Sequence, residues 1–484
     1  MTDVKERLAG LDDWISAQMA EMKTPGFALA IVHKGAVIHC KGYGVRDMEQ
    51  NLPVTPETLF AIGSCSKAFT GTTVGLLVDD GKLDWDTPVR RYMPDFKMYD
   101  PAASDGMTAL DLLSHRSGLP RHDFMWYGSP FTRAELLARL EYLKPNKPFR
   151  YRWEYQNLMF MTAGILVERV SGMTWEDFVR QRIFMPLGMN ASNLSVIDSE
   201  KSDNAARPYA EQGGEVKRIP YRNIDPVAPA GSINSNLIDM TSWLLMNMRG
   251  GKHNDTEFIK EATLAQIHAP VCTIPTTSDR PMAQYKEVTM LSYGLGWGLE
   301  TYRGHRMIWH TGGIDGFIAF VSFLPDDDLG VMAFANLDGN MLPLFAAHHI
   351  YDCLLGLDEI PWGERLKETI EKAKAAAEEG KAKFAAARKP DTQPSHPLDD
   401  YAGEYQHPGY GTLTIVRNGD GLKATYNGTS LTLKHYHYDV FEFVSAYPEM
   451  SLPGAFSTDI TGAVHQVALP IEPTVEPIVF TRAQ

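Results

Sequence analysis

The stretch Ser64-Cys65-Ser66-Lys67-Ala68-Phe69-Thr70-Gly71-Thr72-Thr73-Val74-Gly75-Leu76-Leu77-Val78-Asp79-Asp80-Gly81 decides how the chain is read. The run is apolar, rich in small residues and too long for a strand, so it predicts a buried helix over about 64–81 that stops at Asp80-Gly81. A helix starting there puts Ser64 and Lys67 on one face. A hydroxyl at a helix N-terminus has backbone N–H groups beside it to receive an oxyanion. A lysine one turn on can take the serine proton, provided burial lowers its pKa. SxxK is short, however, and needs companions before it means a nucleophile.

Towards the N-terminus, Val4, Leu8, Leu11, Ile15, Met19 and Met22 recur at helical spacing, predicting one amphipathic helix stopped by Pro25-Gly26. Phe27–Val32 and Ala36–Cys40 flank His33-Lys34-Gly35, a hairpin signature. Helical patterns dominate to about residue 290, clearest over 136–143 and 158–171. Strand patterns return at Met307–Trp309, Phe317–Leu324 and Gly330–Ala335, with Pro325-Asp-Asp-Asp328 as a turn and a helix near 344–355. Strands at both ends of the unit predict an α/β (α+β) fold, one antiparallel sheet flanked by helices with a helical lobe inserted beside it. Glu364–Arg388 reads as a polar helical spacer, broken by Pro390-Asp-Thr-Gln-Pro394-Ser-His-Pro397. From Tyr401 short alternating strands (412–416, 422–426, 431–435, 440–444) with Asn418-Gly-Asp-Gly421 and Asn427-Gly428 turns predict a small all-β barrel or sandwich.

Two further motifs accompany the first. Tyr155-Gln156-Asn157 supplies a phenol able to relay protons and an amide able to bond a substrate carbonyl. His310-Thr311-Gly312-Gly313 lies on or beside a predicted strand; its glycines permit close substrate approach, and the Gly313 N–H can share an oxyanion with the Ser64 N–H.

The order SxxK, YxN, [KH]TG follows the logic of β-lactamase and penicillin-binding-protein signatures. With Thr58–Ser64, Gly81–Val89, Leu112–Pro120, Pro229–Ser235 and Tyr293-Gly-Leu-Gly-Trp297, the sequence over about 5–360 resembles the class C β-lactamase-like serine hydrolases. That group also holds D-peptidases, family VIII-type esterases and penicillin-binding-protein-type thioesterases. The C-terminal part resembles the lipocalin-like β domains appended to such hydrolases. The resemblance implies a hydrolase domain over 1–360, a helical linker over 361–397 and a lipocalin-like barrel over 398–484. It implies acylation of Ser64, an acid–base pair of Lys67 and Tyr155, and an acyl-orienting Asn157. His310 takes the place of the third-motif lysine, and Thr311, Gly312 and Gly313 bind substrate. No metal or organic cofactor is required.

Two residues depart from the family pattern. An unperturbed histidine is mostly neutral at pH 7, so His310 grips a substrate carboxylate less well than lysine would. This favours an esterase or D-amino-acid-peptide peptidase working on ester or amide bonds. The alternatives are a β-lactamase or DD-carboxypeptidase, an acyltransferase or peptide-cyclising thioesterase, and a catalytically silent penicillin-binding-like protein. Gln156 stands where the family usually has a small residue; it either narrows the site or points away.

Other candidates read more simply as structure. Cys65 packs as a small buried residue. Ser66 lacks a lysine three positions on. His115 and His122 satisfy loop hydrogen bonds. His435 and His437 alternate on one strand face without an obvious third metal ligand. Trp126, Tyr127 and Trp153 line a cleft or pack together. Asn427-Gly428-Thr429 is a turn rather than a glycosylation acceptor.

A net charge of −14 without a basic patch argues against nucleic-acid binding, leaving a small molecule or peptide as substrate. Cys40, Cys65, Cys272 and Cys353 are too scattered for a disulfide framework or zinc motif. No apolar run is long enough for a membrane span, and the first residues have no secretory h-region, which predicts a cytoplasmic protein. The pattern does not fix oligomeric state. All three motifs precede the Pro-rich break, so the sequence predicts that deleting 390–484 changes substrate preference more than it abolishes acylation.

Overall fold

The computed structural model describes residues 2–275, 281–446 and 449–483. The chain forms two compact units. The first comprises Met1–Pro94, Met107–Arg116 and Leu158–Ile370; the second comprises Asp95–Gly106, Ser117–Asn157 and Glu371–Gln484.

The first unit is built on an antiparallel sheet of nine strands. They are β1 (Gly26–His33), β2 (Ala36–Asp47), β3 (Leu52–Pro53), β4 (Cys272–Thr273), β5 (Val288–Tyr293), β6 (Gly298–Tyr302), β7 (His305–Ile314), β8 (Phe317–Leu324) and β9 (Leu329–Ala335). Their order is β4-β5-β6-β7-β8-β9-β1-β2-β3. Both chain ends of the unit therefore meet at the β9–β1 pair, where Phe27 opposes Ala335 and His33 opposes Leu329. The Lys34-Gly35 turn has positive φ at both residues, the conformation that matches a two-residue hairpin to strand twist.

Five longer helices accompany this sheet, α1 (Leu11–Glu21), α2 (Ser66–Asp79), α3 (Asn157–Ser171), α4 (Leu237–Met248) and α5 (Leu342–Leu355), and two of them, α4 and α5, pack on its opposite faces. Gly330 lies against Leu244 and Met248 of α4, whereas the adjacent register pair Ser322–Val331 lies beside Tyr351 of α5. Successive strand residues face opposite ways, so the two helices lie on opposite faces. That explains why β1 is buried from Gly26 to Val32 and reads as a continuous apolar run instead of an alternating one.

The expected single helix over 4–22 is two. Thr2–Arg7 and α1 are separated at Gly10, whose φ of 82° breaks the helical path. The helix expected from Ser64 begins at Ser66, behind a tight 3-10 turn over Gly63–Cys65.

In the second unit, β10 (Gly403–His407), β11 (Gly411–Asn418), β12 (Gly421–Tyr426), β13 (Thr429–His437), β14 (Val440–Ala446), β15 (Glu449–Thr458), β16 (Val464–Leu469) and β17 (Ile478–Arg482) form a closed barrel. Closure is through β10 and β17, where Tyr405 pairs with Arg482 and Gln406 with Thr481. Alternating burial places Leu413, Ile415, Phe441, Phe443, Phe456, Val467 and Phe480 in its interior. The stretch expected to be helical over 364–388 forms helix α6 (Trp362–Ala387), and Phe384 near its end stacks on Tyr436 of β13 at 4.5 Å. Among the described residues no helix is long and apolar enough to cross a membrane.

Buried neutral histidines make this fold acid-sensitive. Burial holds His268 down to about 3 and His407 down to about 4. His407 Nδ1 already accepts the Gly409 and Tyr410 N–H groups, so protonating it breaks two bonds. A histidine near 6.5 when unfolded and lower when folded contributes stability that is complete above 6.5 and lost as pH falls. Each such group gives at most about 1.4 kcal/mol per pH unit, and less for His407, which solvent screens. The melting temperature, followed by circular dichroism, should therefore fall steadily from pH 6.5 to 4.5; a flat profile there would contradict this account.

Candidate active site

Ser64 stands at the point where three backbone segments of the first unit converge. Phe60 and Ala61 pair with Ser235 and Asn234, and the Ile62 N–H donates to the Ile233 carbonyl at 3.0 Å. Ser66 ties the turn from below: its hydroxyl donates to the Gly63 carbonyl at 2.7 Å and accepts the Ile233 N–H at 3.1 Å. From the other side comes β7. A Cβ on Gly312 would stand 1.8 Å from the Ile62 carbonyl oxygen and 3.1 Å from the Ser64 nitrogen. Gly63, at φ 51°, is equally tight, since its Cβ would be 2.7 Å from the Gly313 nitrogen. Only glycine allows this approach. It lays Gly312-Gly313 alongside Gly63-Ser64, the arrangement from which two amides can serve one oxyanion.

Lys67 is the second residue of α2, one turn on from Ser64, and is fully buried. Its Nζ donates to Ser64 Oγ at 2.9 Å and to the Ala230 carbonyl at 2.7 Å, and sits 5.4 Å from the centre of the Phe160 ring. Ala230 belongs to the Pro229–Ser235 stretch, whose Pro229 carbonyl also accepts the Thr70 hydroxyl at 2.6 Å. The lysine is thus held by backbone as well as by the serine. That carbonyl gives no side-chain signal, and sequence reasoning did not find it.

His310 is buried on β7 with both ring nitrogens engaged. Nδ1 lies 2.5 Å from the Thr311 carbonyl, which can only accept, so Nδ1 carries the proton. Nε2 then accepts the Tyr293 hydroxyl at 2.7 Å. Tyr293 ends β5 and its ring lies 4.6 Å from that of His115, which in turn lies 5.1 Å from Phe160. Tyr293 belongs to the Tyr293–Trp297 stretch that carries the family resemblance, and nothing in that stretch marks it as the partner of His310. Thr311 is half-buried, and Gly313 is exposed.

Tyr155, Gln156 and Asn157 belong to the second unit. Gln156 is buried and donates to the Pro120 carbonyl at 2.6 Å, so its side chain braces a loop. Asn157 donates through Nδ2 to Asp123 Oδ1 at 3.0 Å. Asp123 also accepts the Trp126 indole N–H at 2.9 Å and pairs with Arg121 at 2.6 Å. The Arg121 guanidinium lies 5.0 Å from the centre of the half-buried Tyr155 ring, which packs on Trp153 at 5.9 Å. No motif pointed to Asp123 or Arg121.

The remaining candidates are structural. Cys65 is buried, its thiol pushed far up by burial and directed at the His310 carbonyl at 3.4 Å, so it stays protonated and unreactive. His435 and His437 are separated by a register shift, and their ring nitrogens meet the Tyr438 carbonyl and the Lys389 N–H. Among the described residues no group of three metal-ligating side chains converges.

Comparison with known proteins places this geometry in a family. A family model described as Beta-lactamase matches residues 11–352, and one described as a domain of unknown function matches 387–482. An unguisins hydrolase of Aspergillus campestris is 30% identical over 410 residues, 81% of this chain and 74% of that protein. An unguisins hydrolase of Aspergillus violaceofuscus is 29% identical over 488 residues, 93% of this chain and 86% of that one. The solved octameric penicillin-binding protein homologue from Pyrococcus abyssi shares the fold, with a TM-score of 0.63 at 21% identity over 98% of this chain and all of that chain. The chain belongs to the Beta-lactamase family and is a serine hydrolase.

Proposed function

We propose that this hydrolase cleaves ester or peptide bonds through an acyl-enzyme on Ser64, with Lys67 and Tyr155 moving the protons. The observation that carries the reading is the Lys67 Nζ bridging Ser64 Oγ and the Ala230 carbonyl. A neutral amine that gives one N–H to Ala230 keeps a lone pair for the serine proton. Ser64 Oγ bonds to the substrate carbonyl carbon as its proton passes to Lys67. The carbonyl oxygen becomes an oxyanion, received by the Ser64 and Gly313 N–H groups. The scissile bond breaks as Tyr155 protonates the departing alcohol or amine, and Asn157 holds the acyl chain. Water then attacks the acyl carbon, giving a proton to the Tyr155 oxygen; the bond to Ser64 Oγ breaks as Lys67 returns its proton to the serine, and the acid leaves.

The substrate class follows from His310. Its two ring nitrogens are taken up by Tyr293 and Thr311, where a lysine would present an ammonium to a carboxylate. This favours neutral esters and peptides over substrates with a carboxylate beside the scissile bond. It also suits relatives whose names record hydrolysis of unguisins and not of β-lactams.

Incubation with a p-nitrophenyl ester, followed by intact mass spectrometry, should give a burst and an adduct that peptide mapping places on Ser64. Ser64→Ala should lack the adduct and lose at least about a thousandfold in kcat. Cys65→Ala should retain both. An adduct elsewhere, or none, would overturn the assignment.

A charge-assisted bond to a carboxylate is worth about 1.5–3 kcal/mol, roughly ten- to a hundredfold. Without one, kcat/KM for an ester bearing that carboxylate and for its neutral amide counterpart should differ by less than about tenfold. A stronger preference for the acid, or faster turnover of a penicillin than of the ester, would move the enzyme to the carboxylate-directed class.

A further inference from the structure

We propose that the C-terminal barrel is a positioning element for the Tyr155-Gln156-Asn157 triplet, acting on the Arg121–Phe124 turn through Tyr410, Tyr426, Asn427 and Glu472. The inference rests on the catalytic reading above, which gives Tyr155 and Asn157 their work, and it goes beyond that reading by assigning the barrel a part in it.

The turn is held by hydrogen bonds from the barrel to His122 and to Phe124. His122 has a φ of 48°, a left-handed conformation that a non-glycine residue keeps only when its surroundings over-determine it. Those surroundings are largely barrel. The His122 N–H donates to Glu472 Oε2 at 2.8 Å. His122 Nε2 lies 3.0 Å from the Lys144 carbonyl, so it carries the ring proton, and Nδ1 accepts the Tyr410 hydroxyl at 2.7 Å. His122 and Tyr410 are fully buried, and Glu472 nearly so. Burial also holds the imidazole below its usual pKa, consistent with that neutral tautomer.

Two residues on, the Phe124 carbonyl accepts two donors from a single barrel hairpin, Tyr426 Oη at 2.9 Å and Asn427 Nδ2 at 2.7 Å. Tyr426 Oη also lies 3.1 Å from the Tyr410 carbonyl, linking the two anchors. Asn427 begins the Asn427-Gly428 turn at φ 46°, which aims its amide out of the barrel. Further along the same segment, Arg139 donates to the Pro408 carbonyl at 2.6 Å, and Phe131 fills the space over Gly411.

Between the two anchored residues sits Asp123. Its carboxylate bonds Asn157 and pairs with Arg121, whose guanidinium faces the Tyr155 ring. The barrel fixes the backbone on both sides of Asp123, and Asp123 fixes the triplet. Barrel residues therefore act through another residue. Misplacement of a catalytic group by even 1 Å costs about a hundredfold in rate.

Asn427→Asp tests this in the full chain, because aspartate keeps the shape and tolerates the left-handed turn while removing the donor. Tyr410→Phe is the companion variant, preserving the ring and removing the hydroxyl. Hydrogen exchange should quicken at amides in 121–127 and 155–158 while the barrel strands keep their protection. For the p-nitrophenyl ester, kcat should fall by about tenfold or more, with a smaller change in KM. Introduced into Asp123→Ala, the same substitutions should change kcat by less than about twofold, because the link is already cut.

A purely structural role would instead give equal losses in both backgrounds. Unchanged exchange at 121–127 and 155–158, or wild-type kcat in both variants, would overturn the positioning role while Ser64 labelling stands. Failure of the wild-type protein to label at Ser64 would remove the catalytic reading itself, whatever the exchange shows.

Discussion

Everything in the first unit that bears on chemistry depends on one steric constraint, the passage of Gly312 against the Ile62 carbonyl and the Ser64 nitrogen. Any side chain at that position would occupy the space of the Ile62–Ser64 backbone. The constraint propagates in both directions. Along β7 it sets the register of the His310–Gly313 motif, with Gly312 opposite Ala319 and His310 opposite Val321. Along the chain it sets where the Gly63–Cys65 turn can lie, hence where α2 begins and where Lys67 emerges. A strand and a helix more than two hundred residues apart are thereby brought to a common point by the absence of a methyl group.

The same economy explains His310. Placed on a buried strand, an ammonium would carry a large desolvation cost unless fully paired. The imidazole avoids that cost by dividing its two nitrogens between a carbonyl acceptor on its own strand and the Tyr293 hydroxyl on another. Because Tyr293 also packs on His115 beside Phe160, and Phe160 underlies Lys67, the third motif and the first motif share one aromatic floor. Lys67 is held by Ser64 and Ala230, and His310 by Thr311 and Tyr293, so each of the two polar groups is bonded on its own side of that floor.

How much of this was legible in the sequence follows from what kind of contact each feature uses. The strand pattern of β1, β8 and β9, the α2 helix and the barrel hairpins are written in local periodicity, and they were readable. The break at Gly10 was not, because the apolar spacing runs straight across it and only a backbone angle records it. SxxK, YxN and HTG were visible because nucleophile, base and glycines need particular side chains at fixed spacing. Ala230 contributes a carbonyl that any residue has. Tyr293 contributes a hydroxyl to a partner 17 residues away in a different strand. Four barrel strands went unread where β-propensity is diluted by glycine, proline and charge, as in Glu449–Thr458.

The hardest feature to read was the kinship of residues 117–157 with the barrel, which the chain separates by more than two hundred residues. His122 and Glu472 are 350 positions apart, and Phe124 and Asn427 are 303. Neither His122 nor Glu472 carries a pattern, since each is a buried polar residue whose meaning lies in the other. Motif order suggests a hydrolase with an appended barrel, because all the named chemistry comes first. The hydrogen bonds suggest a different division of labour. A turn carrying a left-handed histidine is costly to hold, and the residues that hold it come from the barrel. On that argument the barrel adds to the bracing that Gln156 and the buried apolar residues of 117–143 already give the Tyr155 segment, by fixing the turn that carries Asp123, the partner of Asn157.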